Sequence, residues 1–302
     1  MSNVWTLHRA LTQAEKAGCA LGSFSPRLTP MIRPVLVAGE KLGSPLIVQI
    51  STRELTRAGL TPPVFAEAFY AEVESLQITI PVVLHLDHSW DFALIQSAIE
   101  SGFTSVMIDA SEHPLEENIR RTREVVEYAH ARGISVEAEL GRIGTTDFVE
   151  TDKDEELYTV PEEARIFVEA TGADALAVSV GTAHGVYLVR QPKVDIPRLT
   201  AIRAQTSAHL VLHGGSGVPA ELIDRAIHIP GGGVSKVNVA TDLEIALLES
   251  LGRSERLTDA ECRALPPDDL ATGRAAVEAV VTDKIQNFLG SAGKAGLFRD
   301  EK

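Results

Sequence analysis

His88, His184 and His213 each stand just past the end of an apolar run, in VVLHLDH, ADALAVSVGTAHG and AHLVLHGGSG. Neutral imidazole is a common zinc ligand, and three of them leave a tetrahedral ion one open position for a reactant. If the runs are neighbouring strands, the histidines converge on one point although about 125 residues separate the outer two. Glu139 ends a further apolar run and would bring a carboxylate to the same place. Against this stands the ordinary role of a strand-end histidine, a hydrogen-bonded structural residue. His85 and His88 are not interchangeable candidates, because a strand alternates its side chains between faces. His8, His130, His209 and His228 read as solvated or capping residues on helical or turn surfaces. His113, in SEHPLEEN, is ambiguous because Asp109 ends the strand before it.

The elements that must position these residues follow from the chain's punctuation. Short β-branched runs predict strands at 20–24, 45–50, 82–86, 105–108, 135–140, 175–180, 210–212 and 236–239. Helical patterns lie between them at 62–74, 92–101, 115–132, 161–171 and 220–227, the third bounded by Pro114 and Gly133. Parallel strands buried on both faces read as continuous apolar runs, as LIVQI, VVLHL and ALAVSV do. Eight strands in βα alternation predict an α/β protein, a (β/α)8 TIM barrel, as one domain over 1–302. A charged stretch over 150–156 reads as an exposed loop at the active site. The last part, from about 253, reads as a connection to a C-terminal helical extension at 271–289. A doubly wound open sheet is the rival architecture, but it would not bring six polar strand ends around one centre.

Composition narrows the function classes. The chain has 302 residues, 44% of them hydrophobic and only 5% aromatic, which predicts a core of Val, Ile, Leu and Ala. A net charge of −14 argues against nucleic-acid or membrane-surface partners, both anionic. An anionic small substrate is not excluded, since a metal and backbone N–H groups can make its site locally positive. Cys19 and Cys262 form no CxxC pair; the first reads as a buried helix residue, the second as incidental. The N-terminal stretch lacks a signal-peptide pattern, and no segment approaches the roughly 18 apolar residues of a membrane span. The expected location is the cytoplasm.

Six ordered motifs then carry a resemblance. HLDH at 85–88, SVMIDAS at 105–111, VEAELGRIG at 136–144, DALAVSVGTAHG at 174–185, LVLHGGSGVP at 210–219 and KVNVATDL at 236–243 resemble the class II (zinc-dependent) ketose-bisphosphate aldolases. The fructose- and tagatose-bisphosphate enzymes are the nearest members, and LGSAGKA at 289–295 is similar to a C-terminal signature of the family. The resemblance implies that His88, His184 and His213 hold Zn²⁺, with Glu139 as an alternative or nearby ligand. It implies Asp87 as the acid beside the substrate oxygen and Asp109 as a carboxylate supporting a metal-binding histidine. Gly185, Gly214, Gly215, Ser216, Asn238 and Thr241 match phosphate- and substrate-binding positions, with Na⁺ or K⁺ expected beside the phosphate. The implied reaction is reversible aldol cleavage of a phosphorylated ketose to dihydroxyacetone phosphate, or an analogue, plus an aldehyde, through a metal-stabilised enediolate. Homo-oligomers, dimers or tetramers, are the implied assembly.

The departures from the family pattern are local. Relatives read GRxGGxED in the loop that carries a proton-transferring Glu; this chain reads GRIGTTDF, which puts Asp147 at that position, with Glu150 near. Ser25 replaces a common Asn. STRELTRAG at 51–59 and the acidic LPPDDLATGR at 265–274 replace basic or aromatic stretches that meet the substrate's far phosphate, and Arg53, Arg57 or Arg274 would have to compensate. An aldolase with a non-standard acceptor or a ketose monophosphate substrate follows from these changes. The competing readings are a metal-dependent hydrolase, against which HGGSG and NVAT speak, and a non-catalytic sugar-phosphate-binding subunit that has lost its base.

Overall fold

The apolar runs become strands because their side chains are buried on both faces: LIVQI forms the body of β2 and VVLHLDHS the whole of β3. The structure is a computed structural model that describes residues 3–143, 157–185 and 192–299. Its strands are β1 Leu21–Phe24, β2 Leu46–Ser51, β3 Val82–Ser89, β4 Ser105–Ile108, β5 Ser135–Leu140, β6 Ala175–Val178, β7 His209–Leu212 and β8 Val234–Val239. Each pairs in parallel with its successor, and β8 returns to β1, so the sheet is a closed (β/α)8 barrel. Helices cover the outside, and the large cluster of buried Leu, Ile, Val and Phe side chains lies between them and the strands.

The barrel interior is layered by the two-residue period of the strands. At the bottom Leu21, Ile47, Val83, Met107 and Val211 close against Trp5, Leu7, Leu11 and Ala14 of the N-terminal segment and its helix Leu7–Lys16. Two residues further along the strands lie Ser23, Gln49, His85, Glu137 and Lys236, all buried. Two further again, at the C-terminal rim, come Asp87, Glu139 and Asn238, joined by His213 and Asp109, which stand two residues past Val211 and Met107. The plug, the apolar floor and the buried polar layer leave the rim as the open end, where barrels of this kind carry their sites.

The C-terminal helix runs from Pro267 to Asn287 and packs on the helices Ile32–Leu42 and Thr241–Ser250. The buried Asp259 carboxylate ahead of it accepts from Thr29 N at 2.6 Å and Thr29 Oγ1 at 2.8 Å, tying this extension to the loop after β1. Three sequence readings change. His209 is not on a surface: it is the first residue of β7, 5% exposed, and bonds Glu15 Oε1 at 2.7 Å, because the plug helix covers the bottom of the barrel. Cys19 is buried but lies between the first helix and β1, and Cys262 is a fully buried core residue. The stretch 150–156 lies outside the described residues.

Candidate functional site

Regular alternation along β3 turns His85 and Asp87 inward and would turn His88 outward. A register shift between Leu86 and Ser89 in the β3–β4 pairing, with His88 at φ +31°, re-aims that ring toward the barrel axis. A left-handed φ on a non-glycine residue costs on the order of 1–3 kcal/mol and persists where surrounding structure over-determines it. The result is that His88, His184 and His213 meet. Their ring centroids are 4.9 Å (88–184), 4.6 Å (88–213) and 5.7 Å (184–213) apart, each pair edge to face. One ring nitrogen from each lies within 4.8 Å of the others, and His88 Nε2 faces His213 Nδ1 at 2.8 Å.

Three carboxylates surround these rings. Asp109 Oδ2 lies 3.0 Å from His88 Nδ1, and its other oxygen accepts from Ser111 Oγ at 2.8 Å. Glu139 Oε2 is buried and has no hydrogen-bond partner among the described residues, 3.7 Å from His88 Nδ1 and 3.9 Å from His213 Nδ1. The Asp87 carboxylate receives an amide on each oxygen: Asn238 Nδ2 donates to Oδ1 at 3.1 Å and Gln49 Nε2 to Oδ2 at 3.2 Å. Ser23 Oγ donates to Gln49 Oε1, which orients that amide.

Electrostatically the cluster calls for one positive charge. Burial pulls the His88 pKa down, but Asp87, Asp109 and Glu139 overcome it and hold it at about 10. Burial and then the His88 charge push His184 down to about 4 and His213 well below its ordinary value. Burial works against the Asp109 charge too, yet hydrogen bonds from His88 and Ser111 hold that carboxyl far below the usual range. Glu139 is pushed well up by burial and by Asp109. Three clustered imidazoles and an unpartnered buried carboxylate oxygen are a donor set that fits a divalent borderline-soft cation such as zinc.

Two loops flank this centre. Gly214 has φ +67°, and a Cβ there would stand 2.3 Å from Ala183 O; a Cβ on Gly215 would stand 2.6 Å from Val237 Cγ1. Close backbone approach therefore requires glycine at both positions. Ser216 Oγ accepts from Ala240 N at 3.2 Å and Asp242 N at 3.3 Å, joining the loop after β7 to the start of the helix that begins at Thr241. Gly185 follows His184 at φ +108°. Asn238, read from the sequence as a substrate contact, also bonds Asp87. Asp147 lies outside the described residues.

The three arginines considered for the far end of the substrate differ. Arg57 Nη1 donates to Glu54 Oε1 at 3.1 Å, and Arg274 Nε to Pro30 O at 3.1 Å. Arg53 is exposed, two residues past Ser51, which pairs with Asp87 in the β2–β3 register; its charge helps to lower the His184 pKa. Asp268 and Asp269 sit in the first turn of the C-terminal helix, where the macrodipole favours negative charge. Gln49, Glu137 and Lys236 were not picked out as site residues. The signal was present in the inward period of β2, β5 and β8, two residues below Ser51, Glu139 and Asn238.

The family model "Fructose-bisphosphate aldolase class-II" matches residues 5–294. The fructose-bisphosphate aldolase of Geobacillus stearothermophilus is 39% identical, over 96% of this chain and 98% of its own. That of Thermus caldophilus is also 39% identical, over 94% and 97%. Among solved structures, the YdjI aldolase of Escherichia coli K12 superposes with a TM-score of 0.81 at 32% identity, over 97% of this chain and 99% of its own. A putative fructose-1,6-biphosphate aldolase of Coccidioides immitis gives 0.80 at 30%, over 95% and 96%. The chain is thus a metal-dependent carbon–carbon lyase whose reaction is aldol cleavage to dihydroxyacetone phosphate and an aldehyde: it belongs to the class II fructose-bisphosphate aldolase family.

Proposed function

We propose that the metal is Zn²⁺, held by His88, His184 and His213 with Glu139 beside it, and that the substrate is a phosphorylated ketose whose aldehyde half differs from the usual one. The observation that carries this reading is the convergence of the three imidazoles on one another, with Glu139 Oε2 3.7 Å from His88 Nδ1 and 3.9 Å from His213 Nδ1. When bound, the ion supplies Lewis-acid stabilisation of the negative charge that develops on the ketone oxygen. Asp109 holds His88 in one orientation through its 3.0 Å contact. Asp87, fixed by the Asn238 and Gln49 amides, gives a proton to, or takes one from, the aldehyde-derived oxygen. Asp147 moves the proton on the hydroxyketone carbon.

Gly185, Gly214, Gly215, Ser216, Asn238 and Thr241 form the phosphate side, where backbone N–H groups at a helix start favour an anion, with Na⁺ or K⁺ beside it. Of the three arginines, Arg53 is the one left to meet the other half of the substrate, since Arg57 and Arg274 already donate to Glu54 and Pro30. The enzyme works in the cytoplasm as a homo-oligomer. Retro-aldol cleavage across a panel of ketose mono- and bisphosphates tests the substrate reading. Turnover of fructose or tagatose bisphosphate that equals or exceeds that of every monophosphate would undo the altered acceptor, and full activity in Asp147→Ala would remove that residue from the base role.

A further inference from the structure

Beneath the rim lies a charged pair that the reaction does not use. Glu137 on β5 and Lys236 on β8 are both fully buried, and Lys236 Nζ lies 2.9 Å from Glu137 Oε2. Lys236 Nζ has no hydrogen-bond partner beyond this ion pair among the described residues. The strand between β5 and β7 carries the buried Ala175 and Ala177, whose small side chains leave the interior to the two long ones. The second carboxylate oxygen, Glu137 Oε1, lies 2.8 Å from His213 Nε2. His85 closes the layer, with Nε2 3.6 Å from Glu137 Oε2 and Nδ1 2.8 Å from Ser105 Oγ.

A buried ion pair is a poor source of stability, because desolvation of the two charges offsets their attraction and an apolar pair of similar volume does as well or better. Its geometry, however, has a direction. A carboxylate only accepts, so the hydrogen of His213 sits on Nε2, and the lone pair of Nδ1 points at His88 and His184. We infer that Glu137, anchored by Lys236, is the positioning residue that fixes which nitrogen of His213 faces the metal and holds the ring at that angle. Lys236 prevents the carboxylate from turning toward His85, the other group within reach. This assignment rests on His213 being a metal ligand.

The test compares the parent, His213→Ala and Glu137→Leu/Lys236→Met, the last keeping the layer neutral and close in volume while leaving no acceptor for His213 Nε2. Each is stripped of metal and titrated with zinc against a chromophoric chelator, with thermal melts as the control for folding. The ligand reading requires tight zinc binding by the parent and its loss in His213→Ala; if either fails, that reading falls first. With both in place, the double variant is expected to melt near the parent and to bind zinc about 10- to 100-fold more weakly. A folded double variant that binds zinc within about twofold of the parent overturns the positioning role. If the double variant does not fold, nitrogen-15 spectra of the imidazoles in the metal-free parent decide: Nε2-protonated His213 supports the assignment, and Nδ1-protonated His213 overturns it.

Discussion

Asp109 Oδ2 stands 3.0 Å from His88 Nδ1, on the side of the ring opposite the nitrogen that faces His213. The bulge that re-aims His88 leaves that ring in a strained backbone position, so its orientation depends on this partner. Asp109→Ala is expected to weaken zinc binding by about 10- to 100-fold. Asp109→Asn, which keeps a carbonyl acceptor, should recover part of the loss. Chelator competition on the two purified variants checks both.

Asp87 is held by Asn238 and Gln49 and touches none of the ring nitrogens closely; its nearest histidine contact is His85 Nε2 at 3.9 Å. Asp87→Ala is therefore expected to keep its zinc and lose turnover, with kcat falling by about 10²–10⁴. Metal analysis and steady-state kinetics on the same sample separate the two effects. Loss of metal along with activity would make Asp87 part of the metal site.

Gly214 cannot take a side chain where it stands, at φ +67° with Ala183 O in the way. Gly214→Ala should destabilise the fold by about 1–3 kcal/mol or more, seen as a lower urea midpoint. Because the loop also flanks the anion side, KM for the phosphorylated substrate should rise more than kcat falls.

Burial pushes Cys19 up to about 11, against the opposing charge of Lys294, and Cys262 up to about 11, with Asp259 adding to the effect. Both folded values lie above the ordinary thiol value of 9.0, so the native state holds these protons more tightly than the unfolded chain does. Their contribution to stability is complete below about pH 9 and is lost as pH rises through about 11. Urea unfolding at about pH 8 and about pH 10.5 should show a larger loss for the parent than for Cys19→Ala/Cys262→Ala. An equal loss in both would remove the thiols as its cause. Neither thiol should react with a soluble disulfide reagent in the folded protein at neutral pH.

Much of this was legible in the sequence, for reasons that particular residues make plain. β4 and β5 fall where SVMI and SVEAEL are read, because runs buried on both faces leave an unbroken apolar or alternating signature. That His88, His184 and His213 stand at one rim needed only the assumption that their strands close a barrel. That His88 faces inward at all was not legible, since alternation from His85 and Asp87 points the other way and only the register shift reverses it. His209 was misplaced because AHLVL looks like a helix end running into a strand, while its cover, the helix Leu7–Lys16, is remote in sequence. The pairing of Glu137 with Lys236 is not legible because it spans three strand steps around the barrel, and nothing local to either residue announces it.

The most direct measurement is cleavage of a ketose phosphate by protein stripped of metal, followed through dihydroxyacetone phosphate release, before and after return of one equivalent of zinc per chain. The three-histidine site requires activity at background in the stripped protein and full recovery with zinc in the parent, but no recovery in His184→Ala. Cleavage that survives complete metal removal, or that zinc restores equally in His184→Ala, would contradict it.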